Sequence, residues 1–117
     1  MIDFDANFGW KGELLISHLD NHLDWGNRDP TPFISAYTDW TTAEKEALRR
    51  IRQGKQHVTI TEIDVRKVRG KAQYRHVRGL ARRLDYRIPY EAWPNSKYEY
   101  VFLHQIPESA IVRRIRV

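Results

Sequence analysis

Near its C-terminus the chain reads Tyr98-Glu99-Tyr100-Val101-Phe102-Leu103. Apolar residues stand at both parities of this run. A strand of that kind has to be covered on both faces, so it is expected at the centre of a sheet. Glu99 is its one charged residue. A carboxylate in such a strand must reach solvent, a partner or a cleft. An edge position, or an ion pair with the basic stretch upstream, would satisfy it equally. Ile106-Pro107-Glu108-Ser109 then makes a turn, and residues 110–117 make a closing strand.

The elements before this strand can be read from spacing. From residue 11 to about 24, Leu15, Leu19 and Leu23 recur four apart, which is helical. A loop over 26–30 ends that helix, and 32–37 reads as a short strand with proline at its start. Thr41 and Glu44 form a capping box for a helix from Thr42 to about Gln53. Its expected inner face is Ala43, Ala47, Leu48 and Ile51, with Gly54 as its stop. Residues 57–65 are rich in β-branched side chains and read as a strand. The apolar parity changes between Ile60 and Ile63, which points to a twist or bulge. Tyr74, Val77, Leu80, Ala81 and Leu84 have helical spacing inside 66–86, a segment weakened by Gly79.

No repeat, low-complexity segment or linker divides the 117 residues, so residues 1–117 are read as one domain. The order of elements is not a clean alternation of strand and helix. No Gly-x-Gly-x-x-Gly or phosphate-loop motif is present. The expected class is therefore α+β. The chain holds no cysteine, which excludes disulfides and thiolate zinc sites and fits a reducing compartment. No run is long enough to span a membrane, and the start carries acid where a secretion signal needs base. The expected location is intracellular, cytoplasmic or nuclear, with no membrane partner. Formal net charge is +5. The segment from Arg66 to Arg83 holds eight Lys and Arg residues and no acid. It is either a solvated basic face or a surface for a protein or nucleic-acid partner.

Three segments, in order, resemble the heat-labile enterotoxin type of ADP-ribosyltransferase. Pro32-Phe33-Ile34-Ser35-Ala36-Tyr37 is similar to the strand of that family that ends in Ser-Thr-Ser, with Ser35 on the first serine. Gly54 to Asp64 is similar to the glycine-led strand that follows. Lys97 to Ile111 is similar to the segment with a Glu-x-Glu pair, an apolar strand and Ile-Pro. Glu99 falls on the second, catalytic glutamate, and Lys97 replaces the first. In addition, His18-Leu19-Asp20-Asn21-His22-Leu23-Asp24-Trp25 and Asp29 to Ser35 resemble the signature of an uncharacterised fungal domain family, over roughly residues 18–117.

The resemblance implies an ADP-ribosyltransferase-like split mixed or antiparallel sheet with flanking helices, lacking or shortened at the first strand. It implies NAD as substrate, Glu99 and Ser35 as catalytic residues, and His22, Trp25, Phe33 and Tyr37 as residues that contact NAD. A carboxylate beside the ribose would stabilise the positive charge that gathers as the nicotinamide bond breaks. A strand-end serine would orient it. The arginine that such enzymes carry on a strand before the first helix, as a fork for phosphates, has no counterpart in residues 1–10. Either the chain begins after that strand, or the site is degenerate, or another chain supplies the group. With Lys97 in place of a carboxylate, transfer onto arginine is disfavoured, while NAD hydrolysis or another acceptor is less affected. Ser35 as a plain turn residue, and Trp25 and Trp40 as packing residues, are the alternatives. His18 and His22 lie one helical turn apart, but no third ligand is evident, so no metal is expected. The chain is read as an ADP-ribosyltransferase-like domain, active or degenerate, or alternatively as a non-catalytic module that kept this fold and binds a protein or nucleic acid through its basic face, Arg66–Arg83.

Overall fold

The computed structural model describes residues 8–25 and 30–117. Helix α1 (Gly12–Leu23), strand β1 (Phe33–Tyr37), helix α2 (Trp40–Arg52) and strand β2 (Thr59–Ile63) come first. A 3-10 turn over Val65–Lys67, strand β3 (Tyr74–His76) and helix α3 (Val77–Leu84) follow. A short helix α4 (Trp93–Ser96), strand β4 (Glu99–Leu103), a second 3-10 turn and strand β5 (Ile111–Arg116) complete the chain. The class is α+β with antiparallel sheets.

β4 is central. It pairs antiparallel with β1 on one side and with β3 on the other. Side chains alternate across a strand. Phe33, Ser35 and Tyr37 of β1 therefore share one face with Glu99, Val101 and Leu103 of β4. That face is covered by Leu15, Leu19 and Leu23 of α1 and by Val77, Leu80 and Ala81 of α3. On the opposite face Phe102 packs with Val68 and Ala110, and the Tyr74 ring stacks on Phe102 at 4.9 Å. Both parities of β4 are buried, as the apolar run requires.

β2 and β5 form a separate two-stranded sheet. Its register shifts between Glu62 and Ile63, where the change of apolar parity places a bulge. Ile63 joins the Phe102 cluster, and Asp64 N–H donates to the Ala110 carbonyl at 2.8 Å. The packing of Ile63 and Ala110 against Phe102, together with α2 packed on β1 and β2, joins the two sheets, while the Asp64–Ala110 bond extends the β2–β5 ladder.

Two expectations are corrected. The cap of α2 is Asp39, not Thr41. The Asp39 carboxylate accepts from the Thr42 backbone N–H at 3.0 Å and from its hydroxyl at 2.8 Å. The buried positions of the helix are then Thr42, Glu46 and Ala47, while Leu48 and Ile51 are exposed. The segment 66–86 is not one helix. It divides into the 3-10 turn, β3 and α3, and Tyr74 lies on the strand. Three residues are too short a run for a period of two to declare itself. The first strand implied by the resemblance falls on residues 1–10, most of which lie outside the described residues. Among the described residues no helix is long and apolar enough to cross a membrane.

Replacing Asp39 with Ala should lower stability by about 1 kcal/mol, because the first turn of α2 loses its acceptor. Gly79→Ala should act the other way. A Cβ there meets only His76 atoms at 3.8 and 3.9 Å, an ordinary contact. Inside a helix the change stabilises by roughly 0.5–1 kcal/mol. Urea denaturation of both variants measures these shifts. A Gly79→Ala protein less stable than wild type would contradict the packing described for α3.

Candidate functional site

Glu99 opens β4 beside the last residue of β1, Tyr37, its register partner. It is only 4% exposed. Ser35 stands diagonally across the ladder on the same face. Its hydroxyl donates to Glu99 Oε2 at 2.5 Å, within the range of a charge-assisted O–H···O bond. His22, on the last turn of α1, approaches from the helical layer. Its Nε2 lies 2.7 Å from Ser35 Oγ, and its Nδ1 lies 2.7 Å from Thr31 Oγ1.

The direction of this chain follows from proton counting. Ser35 has one hydroxyl proton and gives it to Glu99. It must then accept from His22 Nε2–H. A neutral ring with its proton on Nε2 accepts at Nδ1 from the Thr31 hydroxyl. The neutral form is the one that the site favours. Burial, with the nearby charge of Arg50 as a smaller cause, pushes His22 down to about 4. Burial pushes the Glu99 carboxyl up to about 7; the Ser35 bond opposes this, and the charge of Glu46 adds to it. Burial and the charges of Glu99 and Glu46 also raise Tyr37 far above the usual phenol range.

α2 adds a charge cluster beside this chain. Glu46, buried on the inner side of α2, accepts from Arg49 Nε at 2.9 Å and also from its terminal nitrogen. Arg50 Nε donates to the same carboxylate at 3.2 Å. Glu46 and Arg50, with Ser35 and Tyr37, line a cleft of about 1070 Å³ between the three-stranded sheet and the β2–β5 pair. Lys55, Arg113 and Arg114 are on its walls as well. Glu62 pairs with Arg113 at 3.0 Å. Cations therefore outnumber carboxylates, which suits an anionic ligand. Glu99 does not itself line the cleft; Ser35 and Tyr37 stand between.

The other expected residues sit in different places. Phe33 is in the core, with its ring 5.6 Å from Phe8 and 5.9 Å from Trp10. Trp25 is partly buried under the Arg49 guanidinium, 4.1 Å from the ring centroid. Trp40 is exposed and lines the cleft. His18 packs on Trp10 at 5.1 Å, away from the partners of His22. Among the described residues no group of three or more His, Cys, Asp or Glu is arranged to hold a metal ion. Lys97 is exposed, and its carbonyl accepts from His76 Nε2 at 2.8 Å. Sequence reasoning missed Glu46, Arg50 and Thr31. The one signal for Glu46 was its spacing from Arg49 and Arg50, which marks an ion-pair cluster on a helix.

The molecule is thus a small α+β domain with a buried, hydrogen-bonded carboxylate beside a basic cleft. It belongs to the family described as a domain of unknown function, DUF7587, which matches residues 9–117. The match begins before residue 18, where the signature resemblance starts. No curated protein and no solved structure matches the chain.

The folded value of Glu99 lies above its ordinary value of 4.5. The fold therefore favours the neutral acid. That contribution is whole below about 4.5 and is lost as pH rises through about 7. The depressed value of His22 runs the other way: its contribution is whole above 6.5 and is lost as pH falls through about 4. A Glu99→Gln variant still accepts from Ser35 but carries no charge. Relative to wild type it should gain stability as pH rises from below 4.5 to above 7, by an amount on the order of 3 kcal/mol. Denaturation across that range tests this, and a constant difference would remove the buried-carboxylate assignment.

Proposed function

We propose that this chain is an ADP-ribosyltransferase-like domain that takes NAD into the cleft and presents the Ser35–Glu99 pair to the nicotinamide–ribose bond. The observation that carries the reading is the 2.5 Å bond from Ser35, on β1, to Glu99, at the head of the adjacent β4. It joins the two residues that the resemblance nominates independently. The two antiparallel sheets with a cleft between them support the same reading.

The chemistry asks little of the protein. The C1′–nitrogen bond breaks, and its electron pair leaves with nicotinamide. A carboxylate beside the ribose stabilises the charge that builds up on C1′. Water or another acceptor adds to C1′ and gives up a proton. Glu99 serves in its ionised form, and Ser35, held by His22, fixes the direction of its lone pairs. Tyr37, the cross-strand partner of Glu99, stands between it and the cleft, so the bound ribose has to displace the Tyr37 ring while Ser35 stays bonded to Glu99. Arg50 lines the cleft with its side chain 54% exposed and takes the phosphates in place of the arginine that residues 1–10 lack. Lys97 offers no carboxylate to activate an arginine acceptor, so hydrolysis or transfer to a different acceptor is the preferred outcome.

Calorimetric titration with NAD should show one site per chain, and binding should be weakened by Arg50→Ala. Chromatographic assay should show nicotinamide release that rises with pH through about 7, as Glu99 ionises. Glu99→Gln should abolish release while still binding NAD. Ser35→Ala should slow it by a factor on the order of 100. Absence of NAD binding, or equal release by wild type and Glu99→Gln, would overturn the proposal.

A further inference from the structure

A second depression, of about 530 Å³, lies where α3 approaches α4. It shares no lining residue with the cleft. Its walls carry three arginines (Arg78, Arg82, Arg87) and three aromatic rings (Tyr86, Tyr90, Trp93), and no carboxylate lines it. Asp20 accepts the hydroxyl of the lining Tyr86 at 2.7 Å, and Asp85 and Glu91, adjacent in the chain to lining residues, are exposed and form no part of its wall.

Two rings face solvent. Tyr90 is 92% exposed and Trp93 is 50% exposed. A lone exposed aromatic needs no explanation. These two stand beside a fixed cation. Arg78 Nε donates to Ser96 Oγ, and its terminal nitrogen donates to the Trp93 carbonyl, each at 2.9 Å. The guanidinium is thereby laid 3.7 Å from the Trp93 ring centroid. The flat platform exists before a ligand arrives, so little ordering remains to be done on binding. Arg82 lies one helical turn beyond Arg78. Arg82 and Arg87 are both exposed, and neither has an ion-pair partner among the described residues.

Exposed planar groups between unpaired cations match a polymer that carries one flat apolar face and one negative charge per unit. An acidic protein would satisfy the arginines and leave the rings unused. A duplex keeps its base faces inside the stack. We propose that this depression binds single-stranded nucleic acid, with bases stacked on Tyr90 and the Trp93–Arg78 platform and phosphates held by Arg82 and Arg87. The site is independent of the cleft, and its failure or success leaves the NAD reading untouched.

Fluorescence anisotropy with labelled oligo-dT and oligo-U of about 12 nucleotides tests it. Tyr90, Arg82 and Arg87 are exposed, so substitutions there leave the fold intact, which circular dichroism checks. Both oligonucleotides should bind at roughly 50 mM salt, with affinity falling steeply as salt rises. Tyr90→Ala should weaken binding about tenfold, and Arg82→Glu with Arg87→Glu should abolish it. Inorganic polyphosphate should compete weakly, with a strength that Tyr90→Ala does not alter. The proposal is overturned if neither oligonucleotide binds, if Tyr90→Ala binds as wild type does, or if polyglutamate or a duplex of equal length binds as tightly.

Discussion

The hydrogen bond from Ser35 to Glu99 sets a condition that several elements have to meet together. A carboxylate at the head of a central strand cannot be left without a donor. Ser35 meets the need only while β1 and β4 keep their present register. A slip of one residue would move Ser35 to the other face of the sheet. His22 then ties α1 to the same point, and Thr31 ties the chain just before β1. Strand pairing, helix position and loop course are tied into one line of bonds, Thr31–His22–Ser35–Glu99. Apolar packing alone tolerates small sliding between layers; this file of directed bonds does not.

The charges of α2 meet the same site from another side. Asp39 caps the helix, and the packing of α2 on β1 and β2 buries Glu46. Glu46 would be costly to bury alone, and Arg49 and Arg50 compensate it from within the helix. Their fields reach His22, Tyr37 and Glu99. The ionisation of the site, governed first by burial, is thus also tuned by a helix that forms no hydrogen bond with Glu99 among the described residues. The basic stretch beyond β2 is divided by the fold. Arg66 is paired to Asp64, Lys71 bonds Ser109, and Arg78 is locked on Trp93.

Much of this was legible in the order of residues. The double-sided apolar run placed β4 at the centre, and the parity change at Ile60 and Ile63 marked the bulge. Leu15, Leu19 and Leu23 defined the buried side of α1. Ser35 and Glu99 were each singled out, on a family resemblance, but their contact spans 64 residues of sequence and no local pattern encodes it. Two acceptable caps, Asp39 and Thr41, stood within three residues, and neither fixes which residues of α2 are buried. The choice falls to tertiary packing. β3 was hidden because Tyr74 also continues the helical spacing of Val77 and Leu80. The depression at α3 and α4 was equally hidden, since Arg78 and Trp93 meet only through the fold.

The cleft lies between sheets that have no strand in common. Within either sheet a dense ladder of backbone bonds resists bending, but across the gap the span is fixed by side chains around Phe102 and by α2. The stiffness of the molecule is therefore anisotropic: high along each sheet and lower for separating one from the other. The walls of the cleft are two plates that meet where Ile63 and Ala110 pack on Phe102, so a change in their spacing would break no ladder, and the Ser35–Glu99 bond lies wholly within one plate.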